Sequence, residues 1–148
     1  MKLELISFKL CPFAQRAIIA LNSQNHDFEL TYINPMDPPD WFKEISPTGQ
    51  VPLLKADDQV VFESSVITEF INDISTTDMH PADVVKKANN RSWIAFSSAL
   101  FDDMFNMVIG DEEKFNTAKT ALFSKLAKIE SVKDSKAFFN GDEFNMID

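Results

Sequence analysis

The chain has 148 residues, of which 45% are hydrophobic and 25% are charged, so it is long enough to bury the core of one or two small globular domains. A formal net charge of −9 argues against nucleic acid as a partner, because binding a polyanion requires a basic face that this sequence lacks. The single cysteine excludes an internal disulfide, and no apolar run reaches the length of a membrane span. These features predict a cytoplasmic protein without a membrane partner.

The first 33 residues have the pattern of a β-α-β unit. Residues 2–7 alternate between apolar and polar side chains, as a strand does. Pro12 is typical of the first turn of a helix, and apolar spacing extends that helix to about Gln24. Residues 27–33 are predicted to form a second strand.

A short helix and a β-hairpin are predicted next. Three prolines interrupt the chain before a helix over residues 41–45. Residues 51–54 and 59–62 are expected to pair as a hairpin around a tight turn at residues 56–58. Ser64 or Ser65 is then expected to cap a helix. Its inward-facing residues are expected to be Val66, Ile67, Phe70, Ile71 and Ile74. The predicted order is β-α-β-α-β-β-α, ending near residue 75.

The second half of the chain has a different pattern, typical of helices alone. Residues 75–81 are polar and contain a proline, which predicts a linker. One long helix is expected from Asp83 to about Val108, and Gly110 and Asp111 interrupt it. Apolar residues at three- and four-residue steps from Phe115 to Ile129 predict a second helix. We therefore expect an α/β domain over residues 1–76 and an all-α region over residues 82–148.

The last residues resemble the beginning of a helix. Asn145 has the character of a helix N-cap, and Asp148 follows it by three positions. This pattern favours a natural chain that continues past Asp148, and a frayed tail is the alternative. His26 and His80 have no partners at metal or catalytic spacing, so both are expected at the surface and no metal is predicted.

Cys11 is the first candidate for chemistry. It stands between a predicted strand and the N-terminal end of a predicted helix, where unpaired N–H groups and the helix dipole stabilise negative charge. A thiol in that position is favoured as the thiolate, which is the nucleophilic form. Lys9 and Arg16 are close in sequence and add positive potential. The alternative is a buried, unreactive cysteine.

Two further segments have features of a ligand site. Gln50, Val51 and Pro52 lead into a strand, and a cis bond before Pro52 would present the Val51 backbone to a peptide-like ligand. Glu63 and Ser64 stand where a strand ends and a helix begins, a place suited to the charged end of an amino acid. Ordinary helix capping is the alternative for the second segment.

These three segments together resemble the glutathione transferase family. The blocks are Cys11-Pro12-Phe13-Ala14-Gln15-Arg16, then residues 46–54 (Ser-Pro-Thr-Gly-Gln-Val-Pro-Leu-Leu), then residues 63–67 (Glu-Ser-Ser-Val-Ile). They occur in the family's order and at its spacing, and the Cys-Pro-Phe start resembles the cysteine-containing, omega-like branch. Residues 137–148 are similar to the loop and capping box that precede a later helix of the family, in which the helical domain continues further.

The resemblance implies a thioredoxin-like N-terminal domain, an all-helical C-terminal domain and glutathione as cosubstrate. It implies that Cys11 faces the glutathione sulfur and that the Val51 backbone pairs with the cysteinyl part. The remaining glutathione-binding residues that it implies are Phe13, Gln50, Pro52, Glu63 and Ser64. It also implies a homodimer and, as a second substrate, an oxidised or electrophilic small molecule or a glutathionylated protein.

The sequence departs from the family at two positions. A dithiol redox protein would have a second cysteine where Ala14 stands, so a redox cycle here must use glutathione as the resolving thiol. Ile45 occupies a position where omega-like members often have a lysine, although Lys43 is near.

The leading hypothesis is an enzyme that uses Cys11 for glutathione-dependent thiol transfer, deglutathionylation or reduction of dehydroascorbate. The alternative is a non-catalytic binding protein with the same fold, similar to the stringent starvation protein. Retention of Cys11, Gln50, Glu63 and Ser64 favours the enzyme, because a scaffold does not require them.

Overall fold

The computed structural model describes residues 1–133 and 135–148. The described chain divides into two compact units, Met1–Asp78 and Met79–Asp148. The strands are β1 (Leu3–Ser7), β2 (Glu29–Tyr32), β3 (Leu53–Ala56) and β4 (Gln59–Phe62). The helices are α1 (Pro12–Ser23), α2 (Asp40–Ile45), α3 (Ser64–Asp73), α4 (Val84–Ile109) and α5 (Glu112–Val132). The predicted order of elements is confirmed.

The N-terminal unit contains a four-stranded mixed sheet with the strand order β2-β1-β3-β4. β1 and β2 are parallel, whereas β3 is antiparallel to both β1 and β4. A parallel pair requires a crossover connection, and α1 supplies it. The hairpin of β3 and β4 turns at Asp57, where φ is 52°.

The two central strands, β1 and β3, are buried on both faces of this sheet. Leu5 and Ile6 are adjacent on β1, so their side chains point to opposite faces, and each is 0% exposed. Ile6 shares a cluster with Leu53 and Phe42, which brings α2 to one face. α3 contacts β3 and β4, and α1 packs against α3. Continuous burial of central strands is what a two-sided α/β layer requires.

The C-terminal unit consists of α4, α5 and the loop that follows them. Asp83 caps α4 by accepting from the Val85 and Lys86 N–H groups, both at 2.9 Å. Asp111 caps α5 by accepting from the Lys114 N–H at 3.0 Å. The two helices pack as a pair, and an ion pair joins Lys125 to Asp103. None of the described helices combines the length and apolar character that crossing a membrane requires.

Residues beyond α5 are tied back within the C-terminal unit. The Met146 N–H donates to the Met79 carbonyl at 2.8 Å. The Asp148 carboxylate accepts from the Asn145 N–H at 2.8 Å and from the Phe139 N–H at 2.7 Å. The bond from Asn145 to Asp148 is the one that a capping box makes with an acid three positions on.

The helix after the hairpin begins differently from the expectation. Its N-cap is Glu63, at a φ of 67°, and neither Ser64 nor Ser65 caps it. The sharp turn at Glu63 places Ser64 inside the first turn, where it is buried together with Ile67 and Ile71 at helical spacing. Val66 lies off that face and is 51% exposed, so its predicted inward direction is wrong.

Two other expectations are corrected. The strand predicted over residues 51–54 is shifted to Leu53–Ala56, which leaves Val51 and Pro52 outside the ladder. His80 is buried rather than exposed. His26 is half-buried, and its Nε2 lies 2.8 Å from the Ser75 Oγ, so it joins the turn before β2 to the end of α3.

Candidate active site

All four strands begin or end at one edge of the sheet, the edge formed by strand ends and not by an outer strand. Ser7 pairs with Tyr32, so parallel β1 and β2 end together. Ile6 pairs with Leu53, and Leu53 pairs with Phe62, so β3 begins and β4 ends at the same edge. Residues that follow β1, precede β3 and follow β4 therefore meet there, although they are far apart in sequence. Ligands of open α/β sheets bind where parallel strands end.

Cys11 is the N-cap residue of α1 at this edge. Its backbone is extended (φ −80°, ψ 111°), and Pro12 occupies the first helical position. The Cys11 N–H donates to the Phe8 carbonyl at 3.0 Å, which closes a tight turn between β1 and α1. The side chain is 9% exposed. As the N-cap residue, Cys11 stands at the N-terminal end of α1, and its sulfur makes no capping hydrogen bond to the helix.

Val51 is in contact with the thiol. The Cys11 Sγ donates to the Val51 carbonyl at 3.8 Å, across 40 residues of sequence. The Val51–Pro52 peptide bond is cis, and Pro52 is buried. The main chain before a strand is thus brought against the sulfur, with Val51 outside the hydrogen-bonded ladder.

The turn before Val51 is held by its own side chains. Gly49 has a φ of 68°, a conformation that glycine adopts without a Cβ clash. The Gly49 N–H donates to the Ser46 Oγ at 3.0 Å, and the Gln50 N–H donates to the Thr48 Oγ1 at 3.4 Å. The Gln50 side chain is exposed beside this turn.

Glu63 and Ser64 lie at the far side of the same edge, where β4 passes into α3. Glu63 is exposed, and its left-handed backbone turns the chain into the helix. Ser64 is 8% exposed at the first position of α3. A carboxylate and a helix N-terminus side by side offer complementary groups to an ammonium and a carboxylate, the two charges of a free amino-acid end.

Two cations flank Cys11 in the chain, and each lies against an aromatic ring. The Arg16 guanidinium lies 5.8 Å from the centre of the Phe13 ring, and burial lowers the pKa of Arg16. The Lys9 ammonium lies 5.8 Å from the centre of the Tyr32 ring. Cation–π contacts of this kind hold a charged group in place without neutralising it.

The structure brings most of the predicted residues to one edge. Cys11 contacts Val51, and Pro52 is the next residue in the chain. Glu63 and Ser64 follow the end of β4. The remaining two, Gln50 and Phe13, lie on the preceding turn and on the first turn of α1. Their roles toward a ligand stay predictions.

The sequence pattern points to Lys9 but not to Tyr32. The signal that finds it is the register of a parallel pair, because the last residue of β2 must lie beside the end of β1. Within the part of the chain that the structure describes, no three His, Cys, Asp or Glu residues are grouped as metal ligands.

Comparison with known proteins gives a family match. Residues 10–74 match the family described as glutathione S-transferase, N-terminal domain. Glutathione S-transferase omega-1 of Sus scrofa is 27% identical, over 99% of this chain and 63% of its own length. The probable glutathione S-transferase DHAR2 of Oryza sativa, chloroplastic, is 27% identical over 93% of this chain and 48% of its own length. Protein LigF of a Sphingobium species is 36% identical over 68% of this chain and 42% of its own length.

Solved structures share the fold. A crystal structure of glutathione transferase Omega 3C from Trametes versicolor covers 99% of this chain and 68% of its own, with 23% identity and a TM-score of 0.84. A glutathione S-transferase from Methylobacillus flagellatus, crystallised with glutathione bound, covers 99% and 77%, with 17% identity and a TM-score of 0.88. The chain spans roughly two fifths to two thirds of the length of the curated relatives above.

Proposed function

This chain belongs to the glutathione S-transferase family, and from that premise we propose that it is a glutathione-dependent thiol transferase in which Cys11 is the nucleophile. The observation that carries the proposal is the place of Cys11, which is the N-cap residue of α1 and has its Sγ against the carbonyl of Val51, the residue two positions before β3. The deprotonated form of a cysteine is the nucleophile that attacks disulfides.

Glutathione is the proposed cosubstrate, and the edge of the sheet supplies matching groups. The Val51 backbone lies outside the ladder and pairs with the cysteinyl part of the peptide. Glu63 and Ser64 hold the γ-glutamyl end, because a carboxylate complements its ammonium and the start of α3 complements its carboxylate. Gln50 lies near the glycyl end, while Phe13 and Pro52 supply apolar walls.

The proposed reaction has two exchanges. In the first, the Cys11 thiolate attacks the glutathione sulfur of a mixed disulfide; the old S–S bond breaks, and the other half leaves as a thiolate with the electron pair. In the second, the thiolate of a free glutathione attacks the glutathione sulfur on Cys11, which forms glutathione disulfide and returns the Cys11 thiolate. The chain has one cysteine, so glutathione must act as the resolving thiol.

Several relatives support a glutathione transferase activity by name. They are named as omega glutathione S-transferases and as a DHAR protein. Reduction of dehydroascorbate is part of the same proposal, as an activity that the family resemblance implies. A cytoplasmic location and a homodimer stay proposals as well.

The test is turnover of the mixed disulfide of glutathione and mercaptoethanol, with glutathione reductase reporting the glutathione disulfide formed. Replacing the nucleophile by Cys11→Ser is expected to lower the rate by at least about a hundredfold, since a hydroxyl does not exchange with disulfides. Circular dichroism serves as the folding control. A Cys11→Ser variant that keeps the wild-type rate would contradict the proposal.

A second variant separates binding from chemistry. Glu63→Gln is expected to raise the KM for the glutathionylated substrate while Cys11 still reacts at the wild-type rate with a small neutral disulfide that lacks an ammonium group. If the wild-type chain binds glutathione but turns over no disulfide, a non-catalytic binding protein with this fold becomes the better account.

A further inference from the structure

The cations of the N-terminal unit differ in their partners. Its five lysines and arginines are Lys2, Lys9, Arg16, Lys43 and Lys55. Three of them pair with carboxylates, namely Lys2 with Glu29, Lys43 with Asp40 and Lys55 with Glu4. Lys9 instead lies over the Tyr32 ring, so its full charge is available to a ligand.

Lys9 is placed by the turn that presents the thiol. The bond from the Cys11 N–H to the Phe8 carbonyl makes Lys9 and Leu10 the two central residues of that turn. Both are exposed, Leu10 at 82%. The Tyr32 ring is 47% exposed, and contact with it fixes the direction of a side chain that would otherwise sample many rotamers.

The strand order decides on which side of Cys11 this pair lies. The spatial order of the strands is β2, β1, β3, β4, so Tyr32 and Lys9 lie toward β2. Val51 precedes β3 and Glu63 follows β4, so the groups proposed to hold glutathione lie on the opposite side. Cys11 follows the central strand β1, between the two sets.

We propose that Lys9 and Tyr32 form the subsite for the half of the disulfide that is not glutathione, and that this subsite selects a partner carrying a carboxylate. The inference rests on the proposed function, because it requires Cys11 to attack a disulfide. In a chain with a net charge of −9, a directed ammonium on the turn that leads into Cys11 raises the local concentration of an anionic substrate. The leaving thiolate gains a second negative charge, which the same ammonium stabilises.

The experiment compares two small disulfides that differ in charge. Dithiobis(nitrobenzoate) carries a carboxylate on each half, whereas dithiodipyridine is neutral at neutral pH. In each case the Cys11 thiolate attacks one sulfur, the S–S bond of the probe breaks, and the released half is measured by its absorbance. The chain has one cysteine, so the second-order rate constant reports Cys11 alone.

The measured quantity is the rate constant with the carboxylate disulfide divided by that with the neutral disulfide. At low salt, Lys9→Met is expected to lower this ratio by at least about threefold from its wild-type value. Added salt should shrink the wild-type preference, because it screens exposed charges. Lys2→Met is the matched control, since it removes the same charge from the opposite end of β1. Tyr32→Leu should lower the same preference for the carboxylate disulfide by a smaller amount, because the Lys9 ammonium loses the ring that directs it.

The outcomes separate the two proposals. Equal ratios of the two rates in wild type and Lys9→Met, with both probes reacting, would overturn the subsite and leave Cys11 as the nucleophile. An equal loss in Lys2→Met would also overturn it, because the effect would then come from net charge alone. Failure of the neutral disulfide to modify wild-type Cys11 would overturn the proposed function, and the subsite with it.

Discussion

Single residues at the sheet edge take their chemistry from the backbone around them. Cys11 is a lone thiol in the sequence, and it acquires a proposed role because it caps α1 and touches the Val51 carbonyl. Position at a helix start and a following proline are visible in the sequence. The contact with Val51 is not, since it depends on which strands pair.

Glu4 gives a prediction about pH. Its carboxylate accepts from the Thr31 Oγ1 at 2.7 Å and from the Lys55 Nζ at 2.9 Å. These two hydrogen bonds, that of Thr31 first, lower the pKa of Glu4 below its ordinary value. A carboxylate with a lowered folded-state pKa stabilises the fold above its unfolded pKa, and the contribution is lost as pH falls through the folded value.

Glu4→Gln is therefore expected to cost about 1 kcal/mol of unfolding free energy at neutral pH, and less as the pH falls below about 4. Urea denaturation of both proteins at several pH values measures this difference. Glu29→Gln, which removes an exposed partner of Lys2, should change little. A difference between wild type and Glu4→Gln that stays constant with pH would contradict the account.

Among the secondary structure elements, α4 depends on a single capping side chain. Asp83 accepts from two backbone N–H groups at the start of a 26-residue helix. These hydrogen bonds, that of Lys86 first, lower the pKa of Asp83. A cap satisfies N–H groups that have no partner within the helix.

Asp83→Ala is expected to loosen the first turn of α4 and to lower the thermal midpoint of unfolding. Amide hydrogen exchange should accelerate at Val85 and Lys86, whose N–H groups lose their acceptor. Asp83→Asn keeps an acceptor oxygen and should restore most of the protection. Exchange rates that are unchanged in Asp83→Ala would show that the cap does not hold this turn.

Elements also show what a sequence can and cannot specify. The order of strands and helices, and both ends of β4, follow from periodicity and turn residues. The start of α3 does not, because the chain enters that helix through Glu63 at a φ of 67°, and a serine nearby is the more usual cap. Burial of His80 and exposure of Val66 depend on packing between elements, which a local pattern does not contain.

For the whole molecule, stability of the N-terminal unit rests on a core that covers both faces of the sheet. Phe42 is the largest of the fully buried side chains and packs with Ile6 and Leu53. Phe42→Ala removes that contact and leaves a cavity, so it is expected to cost about 3–5 kcal/mol of unfolding free energy. Urea denaturation gives the value.

Phe105→Ala is the matched control, because the Phe105 ring is 61% exposed on α4. It should cost less than about 1 kcal/mol. Equal losses for the two substitutions would contradict the assignment of Phe42 to the core.

The site likewise belongs to the whole N-terminal unit. Spacing in the sequence identifies three separate segments, and the mixed sheet brings them to one edge because β3 and β4 reverse direction beside β1. In the sequence, only the family resemblance links these segments to one site. The pairing of Lys9 with Tyr32 required the register of β1 and β2.

The most direct test of the central claim is the intact mass of the protein after incubation with glutathione disulfide, with Cys11→Ser in parallel. The account predicts a gain of one glutathionyl group on wild type alone, which added glutathione removes. An unmodified wild-type mass, or the same gain on Cys11→Ser, would contradict the claim that Cys11 carries out thiol transfer with glutathione.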